Sequence, residues 1–151
     1  MMKMRISAKG RYGLAAMTHI ATNYEAGQPI TIVSISEKLG ISKIYLEQVF
    51  SLLKRAELVL SLKGSQGGYQ LARAPKEITA YDVLAAIETA IVDQTDSTVA
   101  DKAPFLDKAM KSVVFDRIDD SIRLALEEVT LEDIIHEVEK QKQPDNLMYF
   151  I

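Results

Sequence analysis

The sequence predicts a mainly α-helical fold with one small β-hairpin: a helix–turn–helix with a hairpin wing, followed by a long helix suited to dimerisation. Three observations predict it. Apolar residues recur every three or four positions through most of the 151 residues. One glycine-rich segment, Lys63-Gly-Ser-Gln-Gly-Gly68, is flanked by β-prone residues, the pattern of a hairpin. The charge is also divided along the chain. Met1 to Lys76 holds 11 Lys and Arg against 4 Asp and Glu, a formal +7, whereas Glu77 to Ile151 holds 7 against 17, a formal −10. A basic half joined to an acidic half suggests that the first meets a polyanion and the second does something else.

In chain order, Tyr12, Leu14, Ala15, Met17, Ile20 and Ala21 form an apolar face that predicts a first helix from about Lys9 to Tyr24, ended by Gly27 and Pro29. Ser34-Ile-Ser-Glu37 reads as a capping box opening a short helix that stops at Gly40. Ser42 then caps a helix whose buried side carries Leu46, Val49, Phe50, Leu53 and Leu58. Leu58 to Leu62 and Tyr69 to Ala72 are the hairpin strands. Thr79-Ala-Tyr-Asp82 and Thr130-Leu-Glu-Asp133 repeat the helix-start signature with Asp in place of Glu. Asp93 to Ala100 is polar and predicts a loop, and Pro104 is tolerated in a helix's first turn. From there to about Glu128, Leu106, Met110, Val113, Val114, Ile118 and Ile122 recur at helical spacing. Such a helix is ~35 Å long at 1.5 Å per residue, with more apolar flank than one small domain covers, which predicts a homodimer seam. The expected organisation is a DNA-binding winged helix-turn-helix domain over 1–76, a helical dimerisation region over 77–140 and a tail over 141–151.

Composition narrows the function classes. There is no Cys, so disulfides, thiolate metal sites, cysteine-ligated iron–sulfur clusters and a cysteine nucleophile are excluded, and no metal site is expected. His19 and His136 are the two histidines, too few for a multi-histidine zinc site. His19 lies on an apolar helix and reads as a core or boundary residue, and His136 as a helix-surface one. No GxSxG, HExxH or comparable spacing occurs, and Asp119-Asp120 and Glu127-Glu128 fall on exposed helical arcs, so no catalytic residue is assigned and the chain is not expected to be an enzyme. The run from Tyr12 to Tyr24 is shorter than the ~20 residues a membrane span needs, and Met1-Met2-Lys3 leads into no signal-peptide core; a cytoplasmic location with no membrane partner is expected.

The second helix of such a pair enters the major groove of duplex DNA and presents residues near its N-terminus to base edges. Here these are Ser42, Lys43, Tyr45, Glu47 and Gln48. Gln48 suits adenine, Glu47 the amino group of cytosine, and Lys43 guanine or a phosphate, each good bidentate contact being worth ~1–3 kcal/mol of discrimination. Packing is the alternative for Tyr45 and a solvated face for Glu47. Lys63, with Gly64, Ser65 and Gln66 at the hairpin tip, suits the backbone or minor groove. The segment lacks the GxxxxGK[ST] spacing of a nucleotide-phosphate cradle. Lys9, Arg11 and Tyr12 lie beside the first helix's N-terminus, itself an anion site.

Three segments resemble the signatures of the Rrf2 family of bacterial winged-helix regulators: Met4-Arg-Ile-Ser-Ala-Lys-Gly-Arg-Tyr-Gly13, Ser42-Lys-Ile-Tyr-Leu-Glu-Gln48 and Lys63-Gly-Ser-Gln-Gly-Gly-Tyr69. The resemblance implies a homodimer that binds a partly palindromic operator and usually represses. Many members hold a cysteine-ligated iron–sulfur cluster before the long helix; with no cysteine in Ala90 to Pro104, no cofactor is expected here. Glu57 stands where the family tends to have Gly, and Lys63 where it tends to have Arg. Within the family the chain is similar to a cluster-free branch of cysteine-metabolism repressors whose partner is the cysteine synthase O-acetylserine thiol-lyase. That likeness makes Tyr149, Phe150 and Ile151 candidate partner-binding residues, with Ile151 as a plug for the synthase active site, against the alternative that the tail packs on the dimer. The competing reading of the whole chain is a protein-interaction module that regulates such an enzyme through its tail.

Overall fold

The computed structural model describes residues 6–65 and 67–143. Helix α1 (Ala8–Thr22) starts where the Ser7 hydroxyl accepts from the Gly10 amide at 3.1 Å, and a single 3₁₀ turn, Tyr24–Ala26, follows it. Helix α2 (Ile32–Leu39) is capped by Thr31, whose hydroxyl accepts from the Ser34 amide at 3.0 Å. This corrects the expected Ser34 cap. Ile30 exchanges both backbone hydrogen bonds with Tyr69, at 2.9 and 2.8 Å, which holds the chain extended up to Thr31 and starts the helix three residues earlier. Gly40, at φ 68°, closes α2 in the left-handed conformation that a β-carbon disfavours. Ser42 caps α3 (Lys43–Arg55) as expected, its hydroxyl accepting from the Tyr45 amide at 3.1 Å.

Strands β1 (Val59–Leu62) and β2 (Gly68–Leu71) form an antiparallel hairpin in which Val59 faces Leu71 and Leu62 faces Gly68. A β-carbon on Gly68 would lie 2.7 Å from the Ile30 carbonyl oxygen, so only glycine lets the wing close on the segment that opens α2. Helices α4 (Ala80–Ile87) and α5 (Thr89–Val92) come next. Both Thr–Asp capping boxes are present and reciprocal, at Thr79 with Asp82 and at Thr130 with Asp133. They also lie side by side. Ala80 N–H donates to the Val129 carbonyl at 2.7 Å and Leu131 N–H to the Ile78 carbonyl at 2.9 Å, which turns α8 (Leu131–Lys142) back onto α1.

The core is made by α1, α2, α3 and β1, with Met17, Ile35, Leu46, Val49, Phe50, Leu53 and Val59 fully shielded. Ile78, Val83 and Leu131 from the acidic half join the same cluster. The long helical run is continuous but not uniform: α6 (Pro104–Met110) and α7 (Asp116–Glu127) are joined by a π-helical turn at Lys111–Phe115. The polar loop before it is tied to the run by side chains. Asp107 accepts from the Thr98 and Val99 amides at 2.7 and 2.8 Å, and Asp119 accepts from Thr95 at 3.2 Å. The hydrogen bonds from Val99 and then Thr98 hold the Asp107 carboxyl below its usual pKa.

Between α3 and β1 the exposed Glu57 adopts φ 62°, a left-handed conformation that costs a residue with a β-carbon ~1–2 kcal/mol. Part of that gain is offset by the greater freedom of glycine in the unfolded chain. Glu57→Gly is therefore expected to stabilise the fold by about 0.5–1 kcal/mol, with Glu57→Ala giving no such gain. Urea unfolding midpoints of the three proteins check this, and equal midpoints for the Gly and Ala variants would refute it.

Candidate nucleic-acid interface

Helix α3 is two-sided by its own periodicity. Leu46, Val49, Phe50 and Leu53 are at 0 % exposure, while Lys43, Ile44, Glu47, Gln48, Ser51, Lys54 and Arg55 are exposed. The Ser42 hydroxyl is taken up in capping the helix. Tyr45 packs edge-on against Tyr12, ring centroids 5.0 Å apart and planes at 89°, and both rings are half-buried against the core. The packing alternative for Tyr45 is thus what the geometry carries, and Tyr12 is its partner. The wing is docked on the same helix through Phe50 and Tyr69, whose centroids are 4.6 Å apart. Lys63, Gly64 and Ser65 are exposed at its tip; Gln66 lies outside the described residues, as do Tyr149, Phe150 and Ile151.

The first helix's N-terminus differs from expectation. Its anion site is filled by the chain itself: the Glu88 carboxylate accepts from the Ser7 amide at 2.7 Å and from the Ser7 hydroxyl. Arg11 is exposed and donates from Nη1 to the Ile6 carbonyl at 2.6 Å, and Lys9 is half-buried. The Glu88 carboxylate thus occupies the Ser7 amide and hydroxyl and sets a negative charge at this helix start, beside the side chains of Lys9 and Arg11. Among the described residues, the ion pairs all use cations from Arg73 onward, and none engages Lys9, Arg11, Lys43, Lys54, Arg55 or Lys63.

The long helix splits the expected seam. Leu106, Val113, Val114 and Ile118 are exposed, whereas Met110 and Ile122 are half-buried within the protomer. Phe105, at 85 % exposure, and Leu124 extend the open apolar surface and were not singled out by the periodicity. Phe105 and Leu106 are adjacent large apolar residues just inside Pro104, a signal that was available in the sequence.

A largely apolar groove of about 560 Å³ lies between α1 and α8, with His19, Arg11 and Lys142 among its lining residues. Burial first, and the charge of Lys38 second, lower the His19 pKa from 6.5. Between that lowered value and the unfolded value of about 6.5, the unfolded chain binds more protons than the folded one. Stability from this group is complete above pH 6.5 and is lost as pH falls through the window. His19→Gln is expected to reduce the loss of stability between pH 7.5 and pH 5.5, read from urea midpoints; a variant as acid-sensitive as the parent would exclude His19 as a source.

A helix–turn–helix with an outward polar face on its second helix and a glycine-tipped hairpin beside it defines a winged helix-turn-helix DNA-binding regulator. Residues 6–137 match the family model Rrf2, described as "Iron-dependent Transcriptional regulator", and the chain belongs to the Rrf2 family. It is 35 % identical over 136 residues to the HTH-type transcriptional regulator IscR of Escherichia coli, covering 90 % of this chain and 83 % of the relative. The structure of T. potens IscR superposes with a TM-score of 0.73 at 32 % identity, covering 97 % of this chain and 96 % of that one. The structure of CymR (YrzC), the global cysteine regulator of B. subtilis, gives 0.71 at 36 % identity, covering 87 % and 96 %. These relatives are transcriptional regulators, not enzymes. Among the described residues, no helix is long and apolar enough to cross a membrane.

Family membership corrects the expectation that the chain takes no cofactor, because the matching family is described as iron-dependent. What stands is narrower and chemical. The chain has no cysteine and therefore no thiolate in the loop ahead of α6, so the residues present do not fit a cysteine-ligated cluster.

Proposed function

We propose that the protein is a cytoplasmic homodimeric repressor that reads a partly palindromic DNA operator. The observation that carries this is the outward face of α3, whose Lys43, Glu47 and Gln48 are exposed and whose neighbouring cations have no ion-pair partner among the described residues. Residues 1–76 bind DNA, 77–140 dimerise and 141–151 form a tail. Ser42 sets the helix start, Lys43, Glu47 and Gln48 read the major groove, and Tyr12 and Tyr45 support that helix. Lys9, Arg11, Lys63, Gly64, Ser65 and Gln66 contact the backbone or minor groove. Leu106, Val113, Val114 and Ile118 form the seam, with Met110 and Ile122 beneath it.

The likeness to a protein titled the global cysteine regulator supports genes of cysteine and sulfur metabolism as targets. A second role, favoured by the apolar Leu147-Met-Tyr-Phe-Ile151, is binding of a cysteine synthase through Tyr149, Phe150 and Ile151. Deleting Met148 to Ile151 tests it: unchanged binding to the synthase removes this role. The principal test is selection from a random duplex pool by the full chain. A dyad with fixed half-site spacing is expected; enrichment of nothing, or of a single half-site without a dyad, overturns the reading.

A further inference from the structure

We infer that Ile44 is a specificity-determining residue that reads the methyl group of a thymine, an inference that rests on the placement of α3 in the major groove. Ile44 is the second residue of α3 and is 71 % exposed; among the described large hydrophobic residues only Phe105 is more so. A lone exposed aliphatic residue on a protein surface needs no explanation. This one is distinguished by its surroundings. The buried side of α3 is already complete in Leu46, Val49, Phe50 and Leu53, and Ile44 stands on the opposite side. Its helical neighbours at three and four residues are Glu47 and Gln48, with Lys43 before it, all exposed hydrogen-bonding side chains. An isoleucine amid them can neither hold a phosphate nor bond a base edge.

The major groove presents one apolar group, the C5 methyl of thymine. Isoleucine suits it because its branched β-carbon restricts χ1, so little conformational freedom is lost on contact. Ile44 and Gln48 are separated along the axis by about 6 Å, four residues at 1.5 Å each. The thymine therefore lies within about two base steps of the base that Gln48 reads, on either strand.

Deoxyuridine tests this cleanly, since it removes the methyl and nothing else. In the selected operator each thymine is replaced in turn by deoxyuridine, and affinities are measured for the parent, Ile44→Ala and Gln48→Ala. The parent is expected to lose roughly four-fold when the thymine of a single half-site is changed, from the loss of one buried methyl, and about ten- to twenty-fold when the equivalent thymine is changed in both half-sites. Ile44→Ala, exposed and helix-compatible, is expected to bind the thymine duplex correspondingly weakly and to be indifferent to that replacement. Deoxyuridine effects of the same size in the parent and in Ile44→Ala, or none in either, overturn the inference. If Gln48→Ala nevertheless changes base preference, the groove placement of α3 survives that failure. If neither Ile44→Ala nor Gln48→Ala alters binding, the placement falls and the inference with it.

Discussion

Lys43→Glu combined with Lys63→Glu is expected to lower affinity for the selected operator at least about 100-fold at ~0.1 M salt, with the fold intact. Both side chains are exposed and neither has an ion-pair partner among the described residues, so their replacement costs the protomer little, within about 0.5 kcal/mol. On DNA the same changes remove one cation at the start of α3 and one at the wing, and put an anion against the phosphates at each place. A dimer suffers this twice. The salt dependence gives the sharper readout, because each neutralised phosphate contributes about 0.9 to the slope of log affinity against log salt. That slope is expected to become shallower by about one for each protomer if Lys43 lies on guanine and by about two if it lies on a phosphate. Fluorescence anisotropy over a salt series measures both quantities, and urea unfolding verifies the fold. Affinity and slope both unchanged would remove α3 and the wing from the interface, leaving the tail-mediated interaction module as the better reading.

Features that depend on neighbours in sequence were legible before the structure. The α3 face, the wing and both Thr–Asp capping boxes follow from periodicity, glycine placement and side-chain reach over three residues. The misread cap at Ser34 had the right local pattern; the pairing of Ile30 with Tyr69, remote in sequence, gave the cap to Thr31. The bond from Ser7 to Glu88 spans 81 residues and has no local signature, yet it places a carboxylate beside the start of α1, where an external anion would otherwise be favoured. It also joins the two halves that charge alone separates. The acidic half supplies the carboxylate at the start of α1 and contributes Ile78, Val83 and Leu131 to the core of the basic half. The π-helical turn at Lys111–Phe115 was equally invisible. It interrupts the 3.6-residue register, so a stripe drawn through Leu106, Met110, Val113, Val114, Ile118 and Ile122 mixes open and half-buried positions.

That division within the stripe leads to the second large effect. Val113→Asp with Ile118→Asp is expected to convert the protein to monomers while leaving the protomer folded. The two side chains are 62 % and 50 % exposed in the single chain, so a carboxylate at either place stays hydrated until a partner covers it. In a two-fold interface each substitution occurs twice, and a buried unpaired charge costs several kcal/mol. Dimerisation is therefore expected to weaken by more than about 1,000-fold. Light scattering after size exclusion reads the mass directly. Operator affinity is expected to fall by about 10²–10⁴, because two linked half-site contacts become independent ones. Ile122→Asp is the contrasting variant: its side chain is half-buried in the protomer, so it is expected to lower the urea midpoint of the chain itself. A double variant that remains dimeric would move the seam off this face of the long helix. A double variant that is monomeric yet binds the full dyad as tightly as the parent would show that the two half-sites are not read by one dimer.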